Sequence, residues 1–156
     1  MKNVVSTALL ALLLAGCATT HTDESEQPLV GYWYGEIKSD DRDTKKWVIA
    51  RHLDGTYWAS FDCGKQNLCK TNKEHGIWGL DNNIYWHKTM LLIDSQGPYY
   101  PQNDDQMYHL KYSLLYMSDN SIEFQDPKTE VSYYLKRVDK AFVTQFEEAK
   151  LNYIHQ

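Results

Sequence analysis

Between Met107 and Met117 apolar and polar positions alternate, placing Tyr108, Leu110, Tyr112, Leu114 and Tyr116 on one face. The same period of two returns at Val131, Tyr133, Leu135 and Arg137. A two-residue period held over this length predicts half-buried strands and not helices. Elsewhere between positions 29 and 138, short stretches rich in Trp, Tyr, Val and Ile are separated by turn residues. The pattern predicts eight strands, at 29–38, 44–53, 56–63, 73–80, 84–93, 107–117, 121–125 and 130–138. The period then changes. After Asp139, a suitable helix cap, Phe142, Phe146, Ala149 and Tyr153 follow at spacings of four, three and four, which predicts an amphipathic helix.

The connections organise these strands. Asp54-Gly55, Asp81-Asn82-Asn83 and Ser118-Asp119-Asn120 read as tight hairpin turns built from residues that accept left-handed backbone. The alternate connections, 39–43, 64–72, 94–106 and 126–129, are longer. In an antiparallel meander successive turns lie at opposite ends, so tight turns gather at one end and longer loops at the other. Closure removes the two open edges such a sheet would have. The expected fold is therefore all-β, an eight-stranded antiparallel up-and-down barrel with a C-terminal α-helix. Strand parity puts both the start of the first strand and the C-terminal helix beside the tight turns, away from the mouth. Two details of register are also expected. A two-residue Asp54-Gly55 turn pairs Ala50 with Ala59, leaving space in the lumen, unless Gly55 forms a bulge that shifts the register by one. A three-residue 81–83 turn makes Trp78 and Trp86 face each other as a stabilising cross-strand pair.

The N-terminal segment has another character. Lys2 precedes an apolar run from Val4 to Leu14, and Leu14-Ala15-Gly16-Cys17 closes it. A charged start, a short apolar stretch and small residues at the cut describe a secretory signal. The cysteine directly after Ala-Gly resembles the lipobox of bacterial lipoproteins. The resemblance implies cleavage before Cys17, diacylglycerol on its thiol and a fatty acyl group such as palmitate on its new amino group. Ala18 is not the aspartate that favours inner-membrane retention in enteric relatives, so the resemblance implies the outer membrane, facing the periplasm. The expected layout is a cleaved signal at 1–16, a polar, acidic tether at 17–28 with a reach of roughly 20 Å, and a barrel with its helix at 29–156.

Removing 16 of 156 residues leaves 140, enough for one domain with a real core. Fifteen basic residues stand against 21 acidic ones after the signal, about −6, with no basic run interleaved with aromatics. Nucleic acid and anionic lipid surfaces are therefore not expected partners. With Cys17 assigned to lipid, Cys63 and Cys69 remain as a pair enclosing a short polar loop. In an oxidising compartment they are expected to form a disulfide, in preference to a zinc site that would lack further ligands.

Gly31-Tyr32-Trp33 at the start of the first strand, eight meandering strands, Arg137 near the end of the last and a trailing helix resemble the lipocalin (calycin) superfamily. The resemblance implies that Gly31, Trp33 and Arg137 form the barrel base, the tryptophan closing it and the arginine packing across. The first loop is short for that superfamily, and the longest loop lies instead between the fifth and sixth strands.

Candidate chemistry is sparse. There is no Gly-x-Ser-x-Gly, no His-Glu-x-x-His and no phosphate-cradling glycine loop ahead of a helix. Asp40, Asp41 and Asp43 lack the ligand number and glycine of a calcium loop and read as a solvated turn. His52, His75, His87 and His109 fall on four strands and read as single residues, so no metal, cofactor or catalytic set is expected. The 12 Tyr and five Trp say more. Tyr108, Tyr112, Tyr116 and Tyr133 line either an open lumen or a filled core, and the sequence leaves both open. Tyr99 and Tyr100, between Pro98 and Pro101, form either a contact patch at the mouth or a plug over it. Two functions follow: a non-enzymatic binder of a small apolar or amphipathic ligand, or an envelope factor or inhibitor that engages a protein or wall polymer through its mouth loops. A lumen of several hundred Å3 favours the first.

Overall fold

The computed structural model describes residues 28–38, 44–62, 71–103 and 105–154. Cys17, Cys63, Cys69, the signal, most of the tether and the 39–43 acidic turn lie outside the described residues.

Nine strands and a helix follow in order: β1 (Gly31–Lys38), β2 (Thr44–Arg51), β3 (Thr56–Asp62), β4 (Thr71–Asp81), β5 (Ile84–Asp94), β6 (Gly97–Tyr99), β7 (His109–Met117), β8 (Ser121–Gln125), β9 (Ser132–Val138) and α1 (Lys140–Ile154). Every strand pair is antiparallel; successive strands pair except that β5 pairs with β7 past the short β6, and β1 pairs with β9 to close the ring. The result is the eight-stranded, lipocalin-like barrel expected. The three-residue β6 is an addition: it pairs with the upper end of β5 inside the long 94–108 connection.

Register at the tight end departs from expectation in two hairpins, and each departure has a backbone cause. Between β2 and β3, Gly55 adopts φ +77°, and its N–H donates to the His52 carbonyl at 3.1 Å. The left-handed glycine adds a residue to the turn and shifts the pairing by one. Ala50 therefore faces Trp58, and Ala59 faces Ile49. Ala50 points out of the barrel, so the two alanines do not open the lumen. Between β4 and β5 the turn has two residues, not three. Asn82 (φ +47°) and Asn83 (φ +68°) both sit left-handed, as a type I′ turn requires. Trp78 consequently pairs with His87, and Trp86 pairs with Gly79. Trp78 is buried inside, while the Trp86 ring covers Gly79 on the outside.

A third shift lies within β7. The pairing with β8 slips between Leu114 and Tyr116. After that bulge the alternation reverses, so Met117 packs against the core and Tyr116 is 55% exposed.

At the base, Trp33 is fully buried and donates from Nε1 to the Leu29 carbonyl at 2.9 Å. The Arg137 guanidinium lies 4.2 Å from the Trp33 ring centre and donates to the carbonyls of Val30, Pro28 and Asp119. Gly31 has φ +124°, and a Cβ there would stand 2.5 Å from Arg137 Nη1. Gly31, Trp33 and Arg137 thus meet at the closed end. The chain enters at that end, opposite the Tyr99-Tyr100 loop, as parity requires.

Helix α1 starts at the base, where Asp139 Oδ1 accepts from the Phe142 N–H at 2.8 Å. It does not stay there. It climbs the outer wall, where Phe142 and Phe146 meet Tyr34 edge-on at 5.2 and 6.4 Å. Near the mouth end Lys150 Nζ donates to Ser60 Oγ at 2.6 Å, and Glu147 pairs with Lys73 at 3.0 Å. Outward-facing Val48, Ala50 and Ser60 are fully buried on this side. The expected helical stripe is rotated: Val143 is buried and Ala149 faces solvent. The side chain of Tyr153 lies outside the described residues.

Candidate functional site

Inward positions follow from the pairing. Trp47, Ile49 and Arg51 of β2 share the inner face with Tyr57, Ala59 and Phe61 of β3, and with Tyr85 and His87 of β5. With Tyr112, Tyr133, Phe124 and Leu135 these residues surround a cavity of about 280 Å3. The lumen is open in part: the cavity coexists with a packed cluster in which Ile49, Tyr57, Ala59, Tyr85 and Phe124 are buried. It is near the small end of ligand pockets, and its walls are mainly aromatic and aliphatic with a few polar groups, the usual composition of such sites.

Two glycines shape the walls. The Trp47 ring lies against Gly35, where any Cβ would overlap it, and meets Tyr133 edge-on at 6.2 Å. Gly76 sits at a register shift between β4 and β5. A Cβ there would overlap the Lys88 carbonyl oxygen and stand 2.8 Å from the Tyr57 ring. The missing side chain lets Tyr57 lie across β4 and reach Thr89 on β5.

Polar groups occupy two places. On the wall, the hydroxyls of Tyr57 and Thr89 are 2.9 Å apart, and each lies 3.5 Å from Glu74 Oε2. Loss of hydration raises the pKa of Glu74, against the pull of the Lys45 charge. Lys45 is exposed overall, yet its Nζ sits 4.7 Å from the Phe61 ring centre, and desolvation there lowers its pKa. Burial pushes the Tyr57 and Tyr112 hydroxyls up, so both stay neutral donors and acceptors.

At the floor, Arg51 is 2% exposed. Its Nε donates to the Tyr85 hydroxyl at 3.2 Å, and its guanidinium carbon lies 4.6 Å from the Tyr85 ring centre and 5.4 Å from that of Phe124. Among the described residues Nη1 is buried with no partner. Beside it, His87 is wedged among the rings of Tyr57, Tyr85 and Tyr112 at 5.3–5.8 Å. Its Nδ1 is also buried without a partner among the described residues. Burial, with the charges of Arg51 and His109 adding, brings its pKa down to about 3, so the imidazole is neutral at ordinary pH.

The tyrosines expected around the lumen divide. Tyr112 and Tyr133 line the cavity. Tyr116 is turned outward by the β7 bulge, and Tyr108 belongs to a short 3-10 turn, Gln106–Tyr108, where its ring packs 6.0 Å from Tyr99. Tyr99 and Tyr100 are 48% and 69% exposed, so they do not plug the mouth. Arg51, Glu74, Tyr57, Tyr85 and Thr89 are site residues that no sequence motif marks. Their signal was parity: Lys45, Trp47, Ile49 and Arg51 alternate inward, and a charge in such a series is placed in the lumen.

No protein-family model matches the chain, and no curated protein is significantly similar to it.

Proposed function

We propose that this chain is an envelope lipoprotein, anchored through Cys17, whose barrel binds and carries a small apolar or amphipathic molecule without transforming it. The observation that carries the reading is the aromatic-lined cavity of about 280 Å3 inside a closed barrel. A well-packed protein interior has few voids larger than a water, so an open lumen walled by apolar side chains is a feature that binding explains. The lipobox residues support the address. The entry of the chain at the barrel base, with Pro28 held by Arg137, supports an orientation in which the mouth points from the membrane into the periplasm.

Two measurements test this reading. Material purified from native membranes and extracted under denaturing conditions should release a small molecule in near-stoichiometric amount, detected by mass spectrometry. A lumen that takes up neither a native ligand nor any apolar probe contradicts carriage. Cys17→Ser should leave the protein free of membranes after salt washing, and retention in the outer-membrane fraction contradicts the anchor.

A second reading has its own observation. Tyr99, Tyr100 and Met107 are all about half exposed or more along one part of the rim. An apolar rim of this kind suits contact with an envelope protein or wall polymer. Under that reading the lumen is incidental, and Tyr99→Ala with Tyr100→Ala abolishes the interaction while probes of the lumen bind unchanged.

A further inference from the structure

Resting on the carrier reading, we propose that the lumen selects a monoanionic amphipath, a carboxylate with a compact apolar body, bound with its head group on Arg51.

The argument begins with the cost of Arg51. A guanidinium carries five N–H donors and keeps its charge in proteins. Among the described residues Arg51 makes one side-chain hydrogen bond, through Nε, and Nη1 is buried without any. The rings of Tyr85 and Phe124 offset part of this through cation–π attraction. Beyond the Tyr85 hydroxyl that accepts from Nε, they supply no hydrogen-bond acceptor and no counter-charge. A buried charge left unpaired is strongly unfavourable, and proteins ordinarily pair it. Among the described residues no carboxylate forms an ion pair with Arg51, and Glu74 associates instead with Tyr57, Thr89 and the Lys45 charge. The unmatched positive charge borders a cavity, and a ligand carboxylate would supply both the acceptor and the charge.

The same surroundings set the ligand's charge and size. One guanidinium balances one negative charge, and neutral His87 beside it adds none. A dianion would be left half unpaired, because the charge of Lys45, the other cation lining the cavity, already acts on Glu74. A cavity of roughly 150 Å3 holds a benzene, six heavy atoms. By proportion, 280 Å3 holds roughly eleven heavy atoms, the size of an eight- or nine-carbon acid. A long fatty acid does not fit within the chamber.

The test uses full-length mature protein and a matched pair, octanoate and 1-octanol, which share the apolar chain and differ in the head. Calorimetric titration at neutral pH should show octanoate binding at least tenfold more tightly. Arg51→Met keeps much of the apolar stem and should abolish that preference, with octanoate losing at least tenfold more affinity than octanol. The melting temperature of this variant should be unchanged or raised, because an unpaired buried charge is gone. Equal affinity of the two probes for the native protein overturns the head-group assignment and leaves the carrier reading intact. A preference for octanoate that survives in Arg51→Met overturns it as well. Binding of neither probe overturns the inference together with the carrier reading. Should Arg51→Met fail to fold, Arg51→Gln gives the same comparison, with the same loss of preference expected.

Discussion

The Tyr57 ring crosses the inner face of Gly76, 2.8 Å from where a β-carbon would stand. One strand gives up a side chain so that its neighbour's ring can lie flat and put its hydroxyl 2.9 Å from Thr89. Gly76→Ala should therefore injure both fold and site. The backbone carbonyl of Lys88 cannot move aside without breaking the β4–β5 ladder, and overpacking of this kind costs about 1–3 kcal/mol. Urea unfolding should show that loss, and the surviving folded protein should bind lumen probes several-fold less well. An alanine variant of native stability would contradict the close packing at this point.

His87 makes stability depend on pH. Its pKa is about 3 in the folded protein, against about 6.5 when unfolded. Between those values the unfolded chain holds a proton that the folded chain refuses. Stability is then highest above pH 6.5 and falls toward pH 3, with a limiting slope of about 1.4 kcal/mol per pH unit. Glu74 acts oppositely. Its folded pKa is raised, so it favours the folded state as pH drops through that value. Comparing wild type with His87→Phe cancels the Glu74 contribution. The variant should lose less stability between pH 6.5 and 4.5, measured by denaturant midpoints, and parallel curves would show that the imidazole does not titrate as inferred.

The meander, the closed base and the helix were legible in the sequence because each leaves a periodic or compositional mark. Strand parity alone put Leu29 and the Tyr99 loop at opposite ends. The lumen was less legible because single backbone events decide which way a side chain points. The left-handed Gly55 moved Ala50 from the lumen to the outer wall, and a bulge in β7 sent Tyr116 to solvent. Neither event changes the apolar pattern of its strand. Arg51 is inconspicuous in the sequence for another reason. In sequence it is one more charge near a turn, and its importance lies in the partners it lacks in three dimensions.

The β4–β5 turn offers a stabilising change. Asn83 has φ +68° and Asn82 φ +47°, and the Asn83 carbonyl accepts from the Leu114 N–H at 2.7 Å. Left-handed backbone costs an ordinary L-residue about 1–2 kcal/mol and glycine almost nothing. Asn83→Gly makes the Asn-Gly pair most favoured in type I′ turns, and should raise the melting temperature by a few degrees. Asn83→Ala should lower it by a similar amount. The opposite order in thermal melts would contradict the turn assignment.

At the base, Arg137→Ala removes three hydrogen bonds to carbonyls and the stack on Trp33. Hydrogen bonds to a charged group contribute about 1.5–3 kcal/mol each and are not additive. A total loss of about 3 kcal/mol is expected from chemical denaturation. Because Arg137 does not itself line the cavity, octanoate affinity measured well below the melting temperature should stay within twofold of wild type. A tenfold loss of affinity would mean that the base and the binding chamber are coupled.

Tyr99 and Tyr100 carry the last prediction, and it separates rim from chamber. Their side chains are about half or more exposed, and among the described residues the one ring contact in the pair is Tyr99 against Tyr108 at 6.0 Å. Surface truncations away from tight packing change stability by about 0.5 kcal/mol or less, so Tyr99→Ala with Tyr100→Ala should barely move the melting temperature. If the rim guides ligands into the lumen, the double variant slows octanoate association several-fold in stopped-flow measurements and slows dissociation by the same factor, leaving equilibrium affinity unchanged. If the rim forms part of the bound site, dissociation instead becomes faster and affinity falls. Unchanged rates in both directions would detach the rim from the lumen altogether, and leave Tyr99 and Tyr100 as a surface for a partner in the envelope.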